Sequence, residues 1–316
     1  MCGNQDSRKT TQTLSPKLSP SGMASVRAGQ RAALRLPRAA ALCLGKARHL
    51  SSSSAPFAKP GFFELRTDEV LPGMMGKYMD VHNSSSTERK ALFPGWLGIW
   101  KTELGGSVHN VHHIYHWNDY DQRDRLRATV FDHPMWFGNE DGPMQGGGAD
   151  QDNLLPLPTL RHKLSSSQSV VMLEATDALH ACGLVGAAGF EEAHPFAAAP
   201  SSGGVPQVVY ELRRYQLVLG YPTVPRFLDL YTAGLQDKLK ADDTGASQLV
   251  TLLYSDCGPL NVVIELWRHE SMQRAQDSRV ASRKAAKWKE AIGEIAQLTT
   301  SFSTSFMRPL RASPWQ

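Results

Sequence analysis

The sequence predicts an α+β fold in which one unit is built twice in tandem. Three observations lead there: an internal repeat, β-rich runs paired across tight turns, and helical periodicity between those runs. Phe62-Phe63-Glu64-Leu65-Arg66 recurs as Val209-Tyr210-Glu211-Leu212-Arg213, 147 residues later. A repeat of that length marks a duplicated unit rather than a solenoid of short repeats.

Residues 1–60 read as a disordered N-terminal targeting segment. They hold ten Lys/Arg and one acid, Asp6, so the rest of the chain carries five more acids than bases. The net charge of +4 and the pI near 8.8 therefore belong to the leader. A nucleic-acid binder carries its basic excess on the folded part, so nucleic acid is not expected as a partner. Residues 23–54 are rich in Arg, Ser and small apolar residues and contain no acid. That is the composition of an organellar transit peptide. Arg35, Arg38 and Lys46 interrupt any apolar core that a secretory signal would need. Ala47-Arg48-His49-Leu50-Ser51 reads as a mitochondrial processing region, and Met23 as an alternative start. The expected location is the mitochondrion, in the matrix or membrane-associated, with the chloroplast as the alternative. No run approaches the ~18 apolar residues of a spanning helix, so no transmembrane segment is expected.

In the first copy, Gly95–Trp100 and Val111–Trp117 form two β-rich runs around the turn Gly105-Gly106. The second copy repeats this as Leu249–Tyr254 and Asn261–Trp267 around Asp256–Pro259. Gly-rich turns between such runs are hairpin signals. Phe227, Tyr231, Leu235 and Leu239 recur at helical spacing, as do Ala281, Ala285, Trp288, Ile292 and Ile295. Each copy closes on another β-rich run, near Ser169–Leu173 and Ser303–Met307. The order is βαββαβ, the ferredoxin-like unit. Its sheet has helices on one face and a bare face that must be covered. Two units in one chain can cover each other, giving a dimeric-α/β-barrel-type pseudo-dimer. The expected domains are 61–185 and 207–316, joined by an Ala/Gly/Pro/Ser-rich linker at 186–206, with a surface loop at 138–153. Four cysteines without a CxxC pair exclude a disulfide scaffold and a zinc ribbon, leaving Cys182 and Cys257 as free thiols in the body.

The tract Val111-His112-His113-Ile114-Tyr115-His116-Trp117-Asn118-Asp119 followed by Gln122-Arg123-Asp124, the two Glu-Leu-Arg tripeptides, and the closing Met307–Pro314 resemble the NIPSNAP family. The likeness spans about residues 61–316. It implies tandem dimeric α/β-barrel domains, mitochondrial association, and roles in vesicle or mitochondrial quality-control interactions. It implies no settled reaction. The second copy departs from the His-His pattern, with Ile264-Glu265 in place of His112-His113.

Four residues of the first copy, Glu64, Arg66, His113 and Tyr115, and two of the second, Glu211 and Arg213, are the candidates for a cavity or ligand site. Period two places Glu64 with Arg66, and Glu211 with Arg213, on one face of a strand. Leu65 and Leu212 are then expected to face the helices, and the charged pairs the opposite sheet. Buried charges must be paired. One reading is a charge network that fixes how the sheets dock, and the other an anion site using Arg66 or Arg213 as a clamp. His113 is expected to line a cavity between the sheets beside Tyr115. His109, His112, His113 and His116 lie on a strand, where same-face neighbours four apart are about 13 Å apart, so no metal site is expected. No catalytic residue is assigned and no cofactor is implied. The leading function is a binding protein that acts through protein partners. The alternative is a small-ligand-binding protein or monooxygenase-like enzyme using a cavity between the two sheets, and a homo-oligomer stays open.

Overall fold

Eight antiparallel strands close into one barrel in the computed structural model, in the order β1-β3-β2-β8-β5-β7-β6-β4. The structure describes residues 61–131, 160–195, 208–242 and 244–316, all within one compact unit, Ser52–Gln316. The targeting segment and the loop at 138–153 lie outside the described residues.

The first half runs β1 (Phe62–Val70), α1 (Met75–Ser84), α2 (Ser86–Leu92), β2 (Trp96–Leu104), β3 (Asn110–Trp117), α3 (Tyr120–Phe131) and β4 (Leu164–Glu174). Between the halves come α4 (Thr176–Ala181) and α5 (Gly186–Ala193). The second half runs β5 (Val209–Leu217), α6 (Thr223–Ala241), β6 (Ser247–Cys257), β7 (Val262–His269), α7 (Met272–Ser282), α8 (Ala286–Leu298) and β8 (Thr299–Pro309). Each half is the expected βαββαβ unit, and the repeat extends to its irregularities. The β2–β3 ladder slips between Trp96 and Gly98, and the β6–β7 ladder slips at the matching place, between Leu249 and Thr251.

The halves join by backbone pairing at both edges, β2 with β8 and β4 with β6. Closure leaves no open strand edge. The interior faces of both sheets then share one apolar cluster that includes Phe63, Leu65, Trp100, Tyr210, Leu212 and Leu266. Gly98 is required here, because a Cβ would lie 2.1 Å from the Trp100 ring folded over it. Phe190 of α5 and Trp315 of the C-terminal segment enter the same cluster. Thus the first eight residues of the stretch read as linker are a helix with a buried anchor. The C-terminal segment is tied to β2, since Leu310 donates its N–H to the Ile99 carbonyl and Trp315 to that of Leu97.

Two further cores lie outside the barrel wall, under the helices. Tyr78, Phe93, Trp96, Val111, Tyr115 and Trp117 fill the first, and Phe227, Tyr231, Leu235, Trp267, Trp288 and Ile295 the second. The periodicity read across Ala281–Ile295 spans two helices, which break at Arg283–Ala285.

Candidate functional site

The expected orientation of the charged pairs is reversed. Leu65 and Leu212 point into the barrel, and Glu64, Arg66, Glu211 and Arg213 point toward the helices. The interior takes Phe63, Leu65, Tyr210 and Leu212 from β1 and β5, whereas the helix side supplies Arg and hydroxyl partners. His113 follows the same rule: it lies under the helices with Tyr115, while His112 and His116 contact residues of the interior face.

In the first half, β1 sets Glu64 opposite Tyr115 and Arg66 opposite His113 on β3. Glu64 is fully buried and accepts from Trp117 Nε1 (3.0 Å), Arg123 Nε (2.8 Å) and Ser169 Oγ (2.5 Å). Burial raises its carboxyl, but the bonds from Arg123 and Ser169 outweigh this and hold it below the usual carboxylate range. Asp68, two periods further on, accepts from Arg66 Nε (2.8 Å), Tyr78 OH (2.8 Å) and Ser167 Oγ (2.6 Å). His113 Nε2 lies 2.9 Å from Tyr78 OH, and its Nδ1 has no partner. Tyr78 gives its only proton to Asp68, so His113 carries its proton on Nε2 and donates to Tyr78. Burial pushes His113 down to about 4, so it is neutral at pH 7. Arg89 Nη1 closes the layer with a 2.7 Å bond to Tyr115 OH.

The second half repeats the plan with different groups. Glu211 is fully buried and receives five donors: Arg213 Nε (2.7 Å) and Nη2 (3.1 Å), Arg279 Nη2 (2.6 Å), Thr304 Oγ1 (2.8 Å) and His269 Nε2 (3.2 Å). Against the burial cost, His269 and Arg213 hold it far below the usual range. Thr304 stands where Ser169 does, since each faces the corresponding arginine across the ladder. Arg279 of α7 likewise stands where Arg123 of α3 does. Glu265 replaces His113 and accepts from Tyr215 OH (2.6 Å) and Trp267 Nε1 (2.5 Å). Arg213 Nη1 is 3.5 Å from it, so a single guanidinium spans both carboxylates. Lys238 of α6 is buried, with Nζ 3.7 Å above the Trp267 ring, 4.6 Å from the Trp288 ring centre and 3.9 Å from Glu265. The last distance is ion-pair contact beyond hydrogen-bond reach, and burial pulls the ammonium down to about 7.

Two concavities adjoin these layers. A cavity of about 550 Å³ opens between β5, β8, α7 and α8, lined by Glu211, Arg213, Arg279, Arg283, Trp288 and Ile292 among others. A larger groove of about 1170 Å³ runs between α4, the start of α6 and the β6–β7 turn. Among the described residues four acids line it, Glu174, Asp177, Asp229 and Asp256, and no basic one does. At its rim Leu219, Tyr221 and Leu260 are exposed at 83%, 103% and 52%.

Of the six residues singled out in the sequence, Glu211 and Arg213 line a cavity together. Glu64, Arg66, His113 and Tyr115 share one face, and all four are engaged by neighbouring side chains in a packed layer. Sequence reasoning missed Asp68, Tyr78, Lys238, Glu265, His269 and Arg279. One signal was present: each copy carries arginines four residues apart after its third strand, Arg123 and Arg127 on α3, and Arg279 on α7 with Arg283 at its C-cap.

A family model described as NIPSNAP matches residues 63–157 and 210–314. NipSnap homolog 3A of Homo sapiens is 22% identical over 253 residues, 80% of this chain and 85% of that protein. NipSnap homolog 3B of Mus musculus is 24% identical over 254 residues, with the same coverage of 80% and 85%. Among solved structures, a NIPSNAP family protein from Agrobacterium tumefaciens is 22% identical and covers 35% of this chain and 96% of its own, with a TM-score of 0.31. A putative monooxygenase from Lactobacillus acidophilus is 8% identical and covers 79% and 94%, with a TM-score of 0.45. The two matched segments fall one on each half of the barrel and together span most of the sequence, and on that ground this chain belongs to the NIPSNAP family.

Proposed function

We propose that this protein works at mitochondria by binding protein partners, in the quality-control or vesicle- and membrane-associated roles that the family likeness implies, and not by its own catalysis. The observation that carries this reading is the acidic groove with Leu219, Tyr221 and Leu260 exposed beside it. Large apolar side chains exposed around a concavity favour a macromolecular partner. Four carboxylates without a basic neighbour in the lining favour a basic one. A basic amphipathic helix satisfies both, with its apolar face on Leu219 and Tyr221 and its cations toward Asp177, Asp229 and Asp256. The buried carboxylates Glu64, Asp68, Glu211 and Glu265 support the non-catalytic side, because internal donors already engage each of them.

The test has two arms. Residues 1–60 fused to a reporter are expected to reach mitochondria, and the fusion with Arg27, Arg31, Arg35 and Arg38 changed to Glu is expected to stay diffuse; a diffuse signal from the parent fusion rejects the location. A fluorescent basic amphipathic peptide is expected to bind the full chain, with affinity falling about tenfold in Leu219→Asp and in Asp229→Asn. Equal binding of an acidic amphipathic peptide, or unchanged binding by both variants, rejects the groove as the partner surface.

A second reading, a small-ligand-binding protein, is favoured by the cavity beside Glu211 and Arg213. Its place is under the helices, since the faces between the two sheets are joined in one apolar core.

A further inference from the structure

We propose that the cavity between β5, β8, α7 and α8 binds an organic monocarboxylate with an apolar body, such as a medium-chain or aryl-substituted acid. This rests on the small-ligand reading of the cavity and is independent of the groove. At about 550 Å³ the cavity has the size of an ordinary small-molecule site. Its walls divide by chemistry. Trp288, Ile292, Ile295, Ala296 and Phe302 form an apolar side, and Phe302 is 52% exposed although its ring meets Tyr215. Arg213, Arg279 and Arg283 form the other side, with the Ser282 and Thr300 hydroxyls nearby.

Charge counting selects a monoanion. Glu211 and Glu265 are the buried acids of this layer, and they are matched by Arg213 and Arg279. Lys238 lies behind them, 3.9 Å from Glu265 and against the Trp267 and Trp288 rings, and is not among the residues that line the cavity. Arg283 is therefore in surplus at the mouth. Among the described residues its guanidinium meets no acid, and its side chain is exposed. Glu211 cannot serve it, because five donors already fill that carboxylate. Arg279 uses Nη2 for Glu211 and Thr304, which leaves Nε and Nη1 as donors beside the cavity. A carboxylate in the cavity takes charge-assisted N–H bonds from Arg279 Nη1 and from the Arg283 guanidinium, and its apolar body then lies on Ile292 and Phe302. A phosphate monoester dianion would exceed the surplus charge, and an amine would oppose it.

The first copy also sets arginines beside its buried carboxylate, since Arg123 bonds Glu64 and Arg127 lies near it. Burial pulls the Arg127 guanidinium down, with the nearby Arg66 and Arg123 adding to that effect and Glu64 opposing it.

The test is calorimetric titration of the full chain with octanoate, octyl phosphate, octanol and octylammonium. Octanoate is expected to bind saturably, more tightly than the other three, and to change Trp288 fluorescence. Arg283→Gln removes the surplus charge without breaking a contact to Glu211, and about a tenfold loss of octanoate affinity is expected. Ile292→Trp fills the cavity and is expected to abolish binding while the circular dichroism spectrum and melting temperature stay near the parent's. Binding of octanol or octylammonium as tight as octanoate, no octanoate binding at millimolar concentration, or unchanged affinity in both variants would overturn the proposal. Tighter octyl phosphate would replace the carboxylate by a dianion and reject the charge count. Binding of octanoate that survives Ile292→Trp but falls with Leu219→Asp would place the ligand in the groove and reject this cavity.

Discussion

Arg213 joins two fully buried carboxylates on adjacent strands, and its removal leaves both short of a donor. Breaking a buried pair from one side costs about 3–5 kcal/mol, and Arg213→Ala is expected to fall in that range by chemical denaturation. Arg66 pairs with one carboxylate, Asp68, also donates to Ser167 Oγ, is 26% exposed at the side chain, and shares Asp68 with Tyr78 and Ser167. Arg66→Ala is therefore expected to cost less than Arg213→Ala, about 1–3 kcal/mol; a cost under about 1 kcal/mol for both would show solvated pairs. Lys238 yields a pH signature. Its ordinary value is 10.5 and its folded value about 7, so between these the unfolded state holds a proton that the folded state has released. Stability then rises with pH through this window, by up to about 5 kcal/mol, and the burial cost is fully present below pH 7. Lys238→Met is expected to flatten that rise relative to the parent and to be no less stable at pH 6. Parallel stability–pH curves for the two proteins would refute a depressed lysine.

At the scale of elements, each strand separates two chemistries by alternation, and each helix supplies the partners for one of them. The C-terminal segment acts differently, because it belongs to the second half and binds the first. Trp315 is 2% exposed against Trp100 and Phe190, and its N–H pairs with Leu97 of β2. The Tyr210 hydroxyl and Arg268 Nε both donate to the Gln316 carbonyl, so the segment bridges β2, β5 and β7. Trp315→Ala opens the mouth of the shared core, and a cost of about 3–5 kcal/mol is expected by thermal or urea unfolding. A loss below about 1 kcal/mol would mean that the segment lies on the barrel without supporting it.

For the whole molecule, closure at two edges decides behaviour. Residues 61–185 alone would expose β2 and β4 as open edges and uncover the interior face of Phe63, Leu65 and Trp100. Open edges and bare apolar faces are pairing surfaces. This fragment is expected to dimerise or aggregate, while the full chain unfolds as one cooperative unit. Sedimentation velocity checks it, and a stable folded monomer of 61–185 would show that the two halves do not need each other.

The repeat, the hairpins and the order of elements were legible in the sequence because they are local: alternation, turn chemistry and helical period are written within a few residues of one another. The pairing of Glu64 with Arg123 and of Glu211 with Arg279 was not, since the partners lie 59 and 68 residues apart on elements whose contact depends on the packed helix layer. Period two told that Glu64 and Arg66 share a face, but not which face. A strand with mixed sides has no intrinsic inside. Leu65 and Leu212 became interior only when barrel closure placed them against each other's sheets, and that same closure turned the charged residues toward the helices that carry their arginines. The cavity beside Arg283 and the acidic groove beside Tyr221 are likewise products of tertiary packing, because each is walled by elements that the sequence keeps far apart.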